Sequence, residues 1–275
     1  MDTLRAADGL SLAVERHPVA GCRARVVIVH GYAEHKGRYR KLVSELTGAG
    51  YECHLFDLRG HGGSEGRRGH VGRFTDYRED LRLVARATGA DLPPGVPLVL
   101  LGHSLGGLIS LDFVIHHPET FSALAVSSPF LAPAFSIPPL KKTLGSLAAR
   151  VVPALAVPSG LQAAWLSHDP EVVRAYVEDP LVFPTTTLGW FTAVEAAQEE
   201  VFARAAQIRL PALILIGGSD PIAAPPRARA LFDRLGSADK HLKVYDGLLH
   251  EVFNELERAR VVADLLAWLN ERTPR

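Results

Sequence analysis

The chain has 275 residues and is 47% hydrophobic, enough for one large core rather than two equal domains. Its 30 Lys and Arg balance 30 Asp and Glu, so the formal net charge is zero, and with no long basic run there is no footing for a nucleic-acid partner. Cys22 and Cys53 stand apart, without CxxC or metal spacing, and read as reduced thiols of a cytoplasmic protein.

The N-terminal MDTLRAADGLSLAVERHP carries charges throughout and lacks the apolar stretch of a signal peptide. Strand-like apolar runs then recur: SLAVERH (11–17), RVVIVHG (25–31), YECHLFD (51–57), PLVLLG (97–102), ALAVSSP (123–129), PALILIGG (211–218) and HLKVYDG (241–247). Helix-like stretches separate most of them. YRKLVSELTGAG (39–50) ends on the glycine a helix C-cap favours. TDYREDLRLVARATGA (75–90) is amphipathic, and 256–272 places Val262, Leu265, Leu266 and Leu269 on one stripe. Strands that are apolar throughout, alternating with helices, predict an α/β fold: a mostly parallel sheet covered on both faces.

The alternation breaks between 130 and 207. The stretch to Leu166 is rich in Pro, Ala and Leu and shows no clear strand; HDPEVVRAYVEDPLVF and a helical GWFTAVEAAQEEVFARAAQ follow. The expected organisation is a core of 1–129 and 208–275 with a helical cap at 130–207 covering a site near the strand ends. VVPALAVPSG is too short and too broken by proline to span a membrane, which takes about 18 apolar residues, so a soluble chain is expected. Peripheral contact with a lipid surface through the cap stays compatible. The sequence is silent on oligomeric state.

Chemistry enters at LVLLGHSLGGLIS (98–110). Gly102-His103-Ser104-Leu105-Gly106 fits G-x-S-x-G, with a buried strand before it and an apolar helix after it. A sharp strand-to-helix turn there exposes the serine hydroxyl and aims the helix's first N–H groups at incoming negative charge. Gly102 and Gly106 are needed because a Cβ would strike the neighbouring backbone. Such a serine needs a base and an orienting acid, later in the chain and in the order Ser, acid, His. Asp220 follows ALILIGGS and His250 follows HLKVYD and a short loop, both at the strand ends where Ser104 sits. Asp233, Asp239 and Asp246 are rival acids and His241 a rival base, but their places along the helices and strands are wrong. Oxyanion donors are expected from the backbone N–H groups of Leu105 and Tyr32.

HGYAEHKGRY (30–39) resembles the HGxxEHxxRY stretch of the monoacylglycerol lipase and lysophospholipase branch of the α/β-hydrolases, which is serine aminopeptidase-like. DLRGHGGSEG (57–66), GHSLGG, HDPEVVRAYVEDPL, GGSDPIAAP and GLLHEVFNE are similar to further motifs of that branch, over about residues 10–270. The resemblance implies an α/β-hydrolase fold and a cofactor-free serine esterase acting on a lipid ester, foremost monoacylglycerols. Lysophospholipids or other small esters are the alternative, and a non-catalytic ligand-binding relative a remote one. It implies Ser104, Asp220 and His250 as the triad. It also implies that Glu34, Arg38, His103 and Tyr176 organise the oxyanion loop or a glycerol pocket, although Glu34 and Arg38, at i and i+4, would equally form a plain local ion pair. Tyr32 and Lys36 depart from the smaller residues usual at their positions, and a bulky Tyr32 would narrow the pocket. Leu155, Leu161 and Leu166 are expected to line an acyl tunnel, and Lys141 and Lys142 are the only close basic pair in the cap for a phosphate head group.

No metal is expected: His30, His35, His54, His61 and His70 form no metal-binding pair, and His250-Glu251 lacks a second histidine. Gly60, Gly62, Gly63 and Gly66 match no phosphate-binding pattern and read as a loop with several positive φ angles. Arg67 and Arg68 read as solvated.

Overall fold

The computed structural model describes residues 2–136 and 138–273, apart from the side chains of 139–142. The main sheet has eight strands: β1 (Asp2–Arg5), β2 (Ser11–His17), β3 (Ala24–Val29), β4 (Tyr51–Phe56), β5 (Leu98–His103), β6 (Ala123–Ser127), β9 (Ala212–Gly217) and β10 (Lys240–Tyr245). Their order is β1-β2-β4-β3-β5-β6-β9-β10. The β1–β2 and β2–β4 pairs are antiparallel and the rest are parallel. This is the expected α/β-hydrolase sheet. The strand at 2–5 was not expected: DTLR is short, and it folds only as the far arm of a hairpin whose turn uses Gly9 at φ +89°.

Packing follows from the pleat. All six residues of β3 are buried, and alternate ones enter different cores. Val27 and Val29 pack toward α2 (Phe74–Gly89), α3 (Leu105–His116) and α6 (Leu188–Arg204). Ala24, Val26 and Ile28 pack toward α1 (Arg40–Gly48) and α8 (Arg258–Arg272). Each of these buried valines and the isoleucine contributes about 1.5–3 kcal/mol. α1 stops where Gly50 takes φ +94°, as expected of a C-terminal glycine, and the stripe on α8 is buried at Val262, Leu265 and Leu269.

Between β6 and β9 lie α4 (Pro139–Val151), α5 (Pro170–Glu178) and α6. This segment holds two strands the sequence reading lacked, β7 (Ala156–Pro158) and β8 (Thr185–Thr187), paired antiparallel with Ala156 opposite Thr187. Three residues are too few to show a period, and their partners are far away in the chain. α6 is not only roof: Val194, Ala197 and Val201 join the same apolar cluster as α3. α7 (Pro225–Arg234) completes the α/β layers. No described helix is long and apolar enough to cross a membrane.

Candidate active site at the strand ends

Ser104 occupies the turn between β5 and α3 with φ +52° and ψ −115°. That backbone costs a non-glycine residue about 1–3 kcal/mol, and neighbours hold it there. Ser104 N–H donates to Ser127 O (3.0 Å), and its own carbonyl accepts from Leu108 N–H (3.1 Å) and Phe130 N–H (3.0 Å). The glycine argument holds quantitatively. A Cβ on Gly106 would sit 2.1 Å from Val29 O, and one on Gly102 2.4 Å from Gly106 O.

Asp220 lies just beyond β9 and His250 beyond β10, both buried. The His250 Nδ1–H donates to Asp220 Oδ2 at 2.7 Å. The other carboxylate oxygen accepts Ile222 N–H (2.8 Å) and Ala223 N–H (3.0 Å). With its proton committed at Nδ1, the imidazole has Nε2 free to accept. Burial disfavours the imidazolium, but the Asp220 carboxylate outweighs it, with Glu251 and Glu34 adding, so the His250 pKa is raised. Ser104 and His250 line one partly open cavity. No hydrogen bond joins their side chains in this arrangement; contacts of this kind tighten in the complex with substrate. The rivals fall away: His241 is exposed on β10 and paired with Asp239 at 3.0 Å.

Leu105 is the first residue of α3, so its N–H belongs to the helix N-terminus beside Ser104. Tyr32 follows Gly31 on the loop after β3. Gly31 lets that loop lie against Ser104, since a Cβ there would come 3.2 Å from Ser104 Cβ. The Tyr32 side chain does more than narrow the cavity. Its hydroxyl donates to Thr185 O on β8 (2.7 Å), and its ring packs on Trp190 at 4.1 Å between centroids. It is a strut from the loop to the roof.

Glu34 is buried and accepts from Gly31 N–H (2.5 Å), the Tyr39 hydroxyl (2.8 Å) and Arg38 (2.8 Å). Burial raises its carboxyl, but Arg38, His103 and His30 outweigh that and hold it below the usual carboxylate range. The i, i+4 pair exists, yet it is not merely local, because Arg38 also grips Glu251 with two hydrogen bonds (2.5 and 2.8 Å). The Tyr176 ring lies 4.9 Å from the guanidinium. Glu34, His103 and Tyr176 line the cavity; Arg38 stands behind them and faces an outer groove. His103 Nδ1 bonds Ser127 Oγ (2.8 Å), and burial, then the His250 charge, lowers its pKa to about 4, so it stays neutral. Glu251 was missed as a site residue because it was weighed only as half of a metal motif.

Leu161 and Leu166 line the cavity as expected, joined by Phe130, Phe135, Phe191 and Ile222 from distant positions. Leu155 does not: it is 52% exposed on the outside of the segment. The turn after α4 directs it away, a direction composition does not encode. Lys141 and Lys142 lie outside the described side chains. Lys36 is buried and pairs with Asp57 at 2.7 Å, so its charge serves the loop rather than the cavity. Gly60, Gly62 and Gly66 have positive φ, as expected, and Arg67 and Arg68 are exposed.

One cluster capable of metal ligation does arise, from Asp112, His116 and Glu200, whose ligand atoms lie within 4.8 Å of one another. Arg78 Nη1 already sits 3.1 Å from both Asp112 oxygens, and Arg204 donates to Glu200 (2.7 Å) and His116 Nε2 (2.8 Å). Two guanidinium ions occupy the lone pairs a cation would need, so the group is an ion-pair cluster joining α2, α3 and α6.

The chain is similar to known proteins over most of its length. A family profile described as "Serine aminopeptidase, S33" matches residues 20–257. The "Monoacylglycerol lipase" of Mycolicibacterium smegmatis is 36% identical over 248 residues, covering 90% of this chain and 88% of that protein. "Phospholipase YtpA" of Bacillus subtilis is 29% identical over 245 residues, covering 86% and 92%. The crystal structure of Paleococcus ferrophilus monoacylglycerol lipase superposes with a TM-score of 0.86 at 32% identity, covering 96% of this chain and 99% of that one.

Proposed function

The chain belongs to the serine aminopeptidase S33 family of α/β-hydrolases, and on that premise we propose that it is a serine carboxylic ester hydrolase converting monoacylglycerols to free fatty acid and glycerol. The observation that carries the reading is the Asp220–His250 contact of 2.7 Å, at the rim of the cavity that Ser104 also lines.

The reaction follows from the positions. Ser104 Oγ attacks the ester carbonyl as His250 Nε2 takes its proton. Asp220 fixes the tautomer and balances the imidazolium. The Leu105 and Tyr32 N–H groups stabilise the oxyanion, a contribution of about 10²–10³ in rate for each donor. His250 then protonates the departing glycerol oxygen, and water, activated by the same imidazole, frees the fatty acid. The apolar side of the cavity, with Leu161 and Phe191, suits the acyl chain; Glu34, His103 and Tyr176 suit a polyol. We place the core at 1–129 and 208–275 and the cap at 130–207. The exposed apolar residues of the cap suit it to rest on a lipid surface, and two unbridged cysteines suit a reducing, cytoplasmic compartment.

The test is an ester panel varying head group and chain length, run on wild type and Ser104→Ala with fluorophosphonate labelling. Expected are labelling of Ser104 alone and turnover of monoacylglycerols that rises with chain length, by at most about fourfold per methylene (0.8 kcal/mol), and falls where the cavity closes. Folded wild type that neither labels nor hydrolyses any ester would sink the proposal. The similarity to a phospholipase favours lysophospholipids as a second reading; faster turnover of lysophosphatidylcholine than of the matched monoacylglycerol would select it.

A further inference from the structure

A run of short polar contacts links the residue that follows the base to the oxyanion loop. Glu251 follows His250 directly. Its carboxylate takes two hydrogen bonds from Arg38 and a third from Asn254 Nδ2 (2.9 Å). Arg38 Nη1 also donates to Glu34, and Glu34 accepts the N–H of Gly31, the residue before Tyr32. All three charged side chains are at most 9% exposed. The backbone of the histidine loop meets the cap as well, since Glu251 N–H donates to Leu166 O at 2.8 Å. One guanidinium thus touches both loops whose relative position decides whether the base and the oxyanion donors address the same carbonyl.

We propose that Glu251 is a positioning residue, which through Arg38 sets the distance between His250 and the oxyanion donors. The inference rests on the esterase reading and adds to it a residue that does not touch the reacting atoms. Replacing Arg38 would leave two buried carboxylates without their cation, whereas a change at Glu251 leaves Arg38 paired with Glu34. The pair is therefore tested by conservative changes. Glu251→Gln keeps the shape and removes the charge; Glu251→Asp keeps the charge and withdraws it from two-point reach.

The groups facing His250 or belonging to this chain of contacts are Asp220 after β9, Glu34 and Arg38 after β3, Tyr39 beside them, His103 at the elbow, Tyr176 on α5 and Glu251 on its own loop. The carboxylates raise the His250 pKa. Removing the Glu251 charge therefore moves the acid limb of kcat/KM to lower pH, whereas the aspartate variant leaves the limb in place.

The experiment measures kcat and KM on a water-soluble ester, per site counted by fluorophosphonate labelling, with the pH profile and melting temperature of each variant. Expected is a kcat loss of about tenfold to a hundredfold in both variants, the scale of a 1 Å misplacement, with KM within about twofold. Only Glu251→Gln should shift its acid limb. A kcat per labelled site within twofold of wild type in both variants overturns the proposal. So does a kcat loss matched by a rise in KM, or an unmoved limb in Glu251→Gln, as general loosening would give. If one variant fails to fold, the other still decides. Failure of wild type itself to turn over any ester would indict the esterase reading instead.

Discussion

The strand ends beneath the cavity and the segment above it treat their side chains in opposite ways. Below, residues 105–115 of α3 are buried on every side, and the non-glycine residues with positive φ among those described, Ala33, Ser104 and Ser128, all lie just beyond β3, β5 and β6. Above, Leu144, Leu147, Val151, Val152, Leu155, Val177 and Leu181 are exposed; outside 130–207 the only other exposed large apolar residue described is Leu256. The floor spends its packing on holding strained backbone, which persists only where surroundings over-determine it. The roof leaves these apolar side chains exposed, and under the proposed function they are the surface that would meet lipid. Strained, buried backbone and exposed apolar surface thus fall in different parts of the fold.

Mutations separate the two regions. Ser104→Ala should cost about 10⁴–10⁶ in kcat with little change in melting temperature, read by hydrolysis rate and calorimetry. Gly106→Ala drives a Cβ into Val29 O and should cost about 3 kcal/mol, a fall of about 5 °C; a loss under about 2 °C would show the floor to be softer than it looks. Leu147→Asp with Val151→Asp should leave stability and soluble-ester turnover unchanged while weakening vesicle binding about tenfold or more, since each apolar group moved into lipid contributes of order 1 kcal/mol. Tyr32→Phe, which cuts the strut to Thr185, should lower kcat about fivefold, the scale of one hydrogen bond. Equal losses on soluble and vesicle-borne substrate from the roof pair would break the division.

The pH response belongs to the floor. Because the folded-state pKa of His250 is raised above 6.5, activity needing the neutral base falls as pH drops through that higher value. His103 does not contribute until about pH 4. Stability runs the other way: the His250 interaction is fully present below pH 6.5 and fades as pH rises through the folded value. Titrating rate and melting temperature together checks both signs.

Much of the floor was readable in the sequence. Continuous apolar runs mark strands buried on both faces, and the glycines around Ser104 mark a backbone crossing where a Cβ cannot fit. The order Ser104, Asp220, His250 follows from strand ends that sequence patterns locate well. The roof was harder. Leu155 and Leu161 look alike in composition, yet one meets solvent and the other the cavity. β7 and β8 exist only through each other. Glu251 gains its role from Arg38, more than two hundred positions earlier, a pairing no local pattern announces. Phe130 and Ile222 reach the cavity from either side of the segment for the same reason.

The carbonyl of Ser104 accepts the N–H of Phe130, where the roof begins. The point at which the segment between β6 and β9 leaves the sheet is therefore pinned to the peptide of Ser104. A different roof, longer or shorter, could be grafted after that peg with its origin already in register. What lines the cavity from above can then change by exchanging that segment, while Ser104 keeps its place at the strand end.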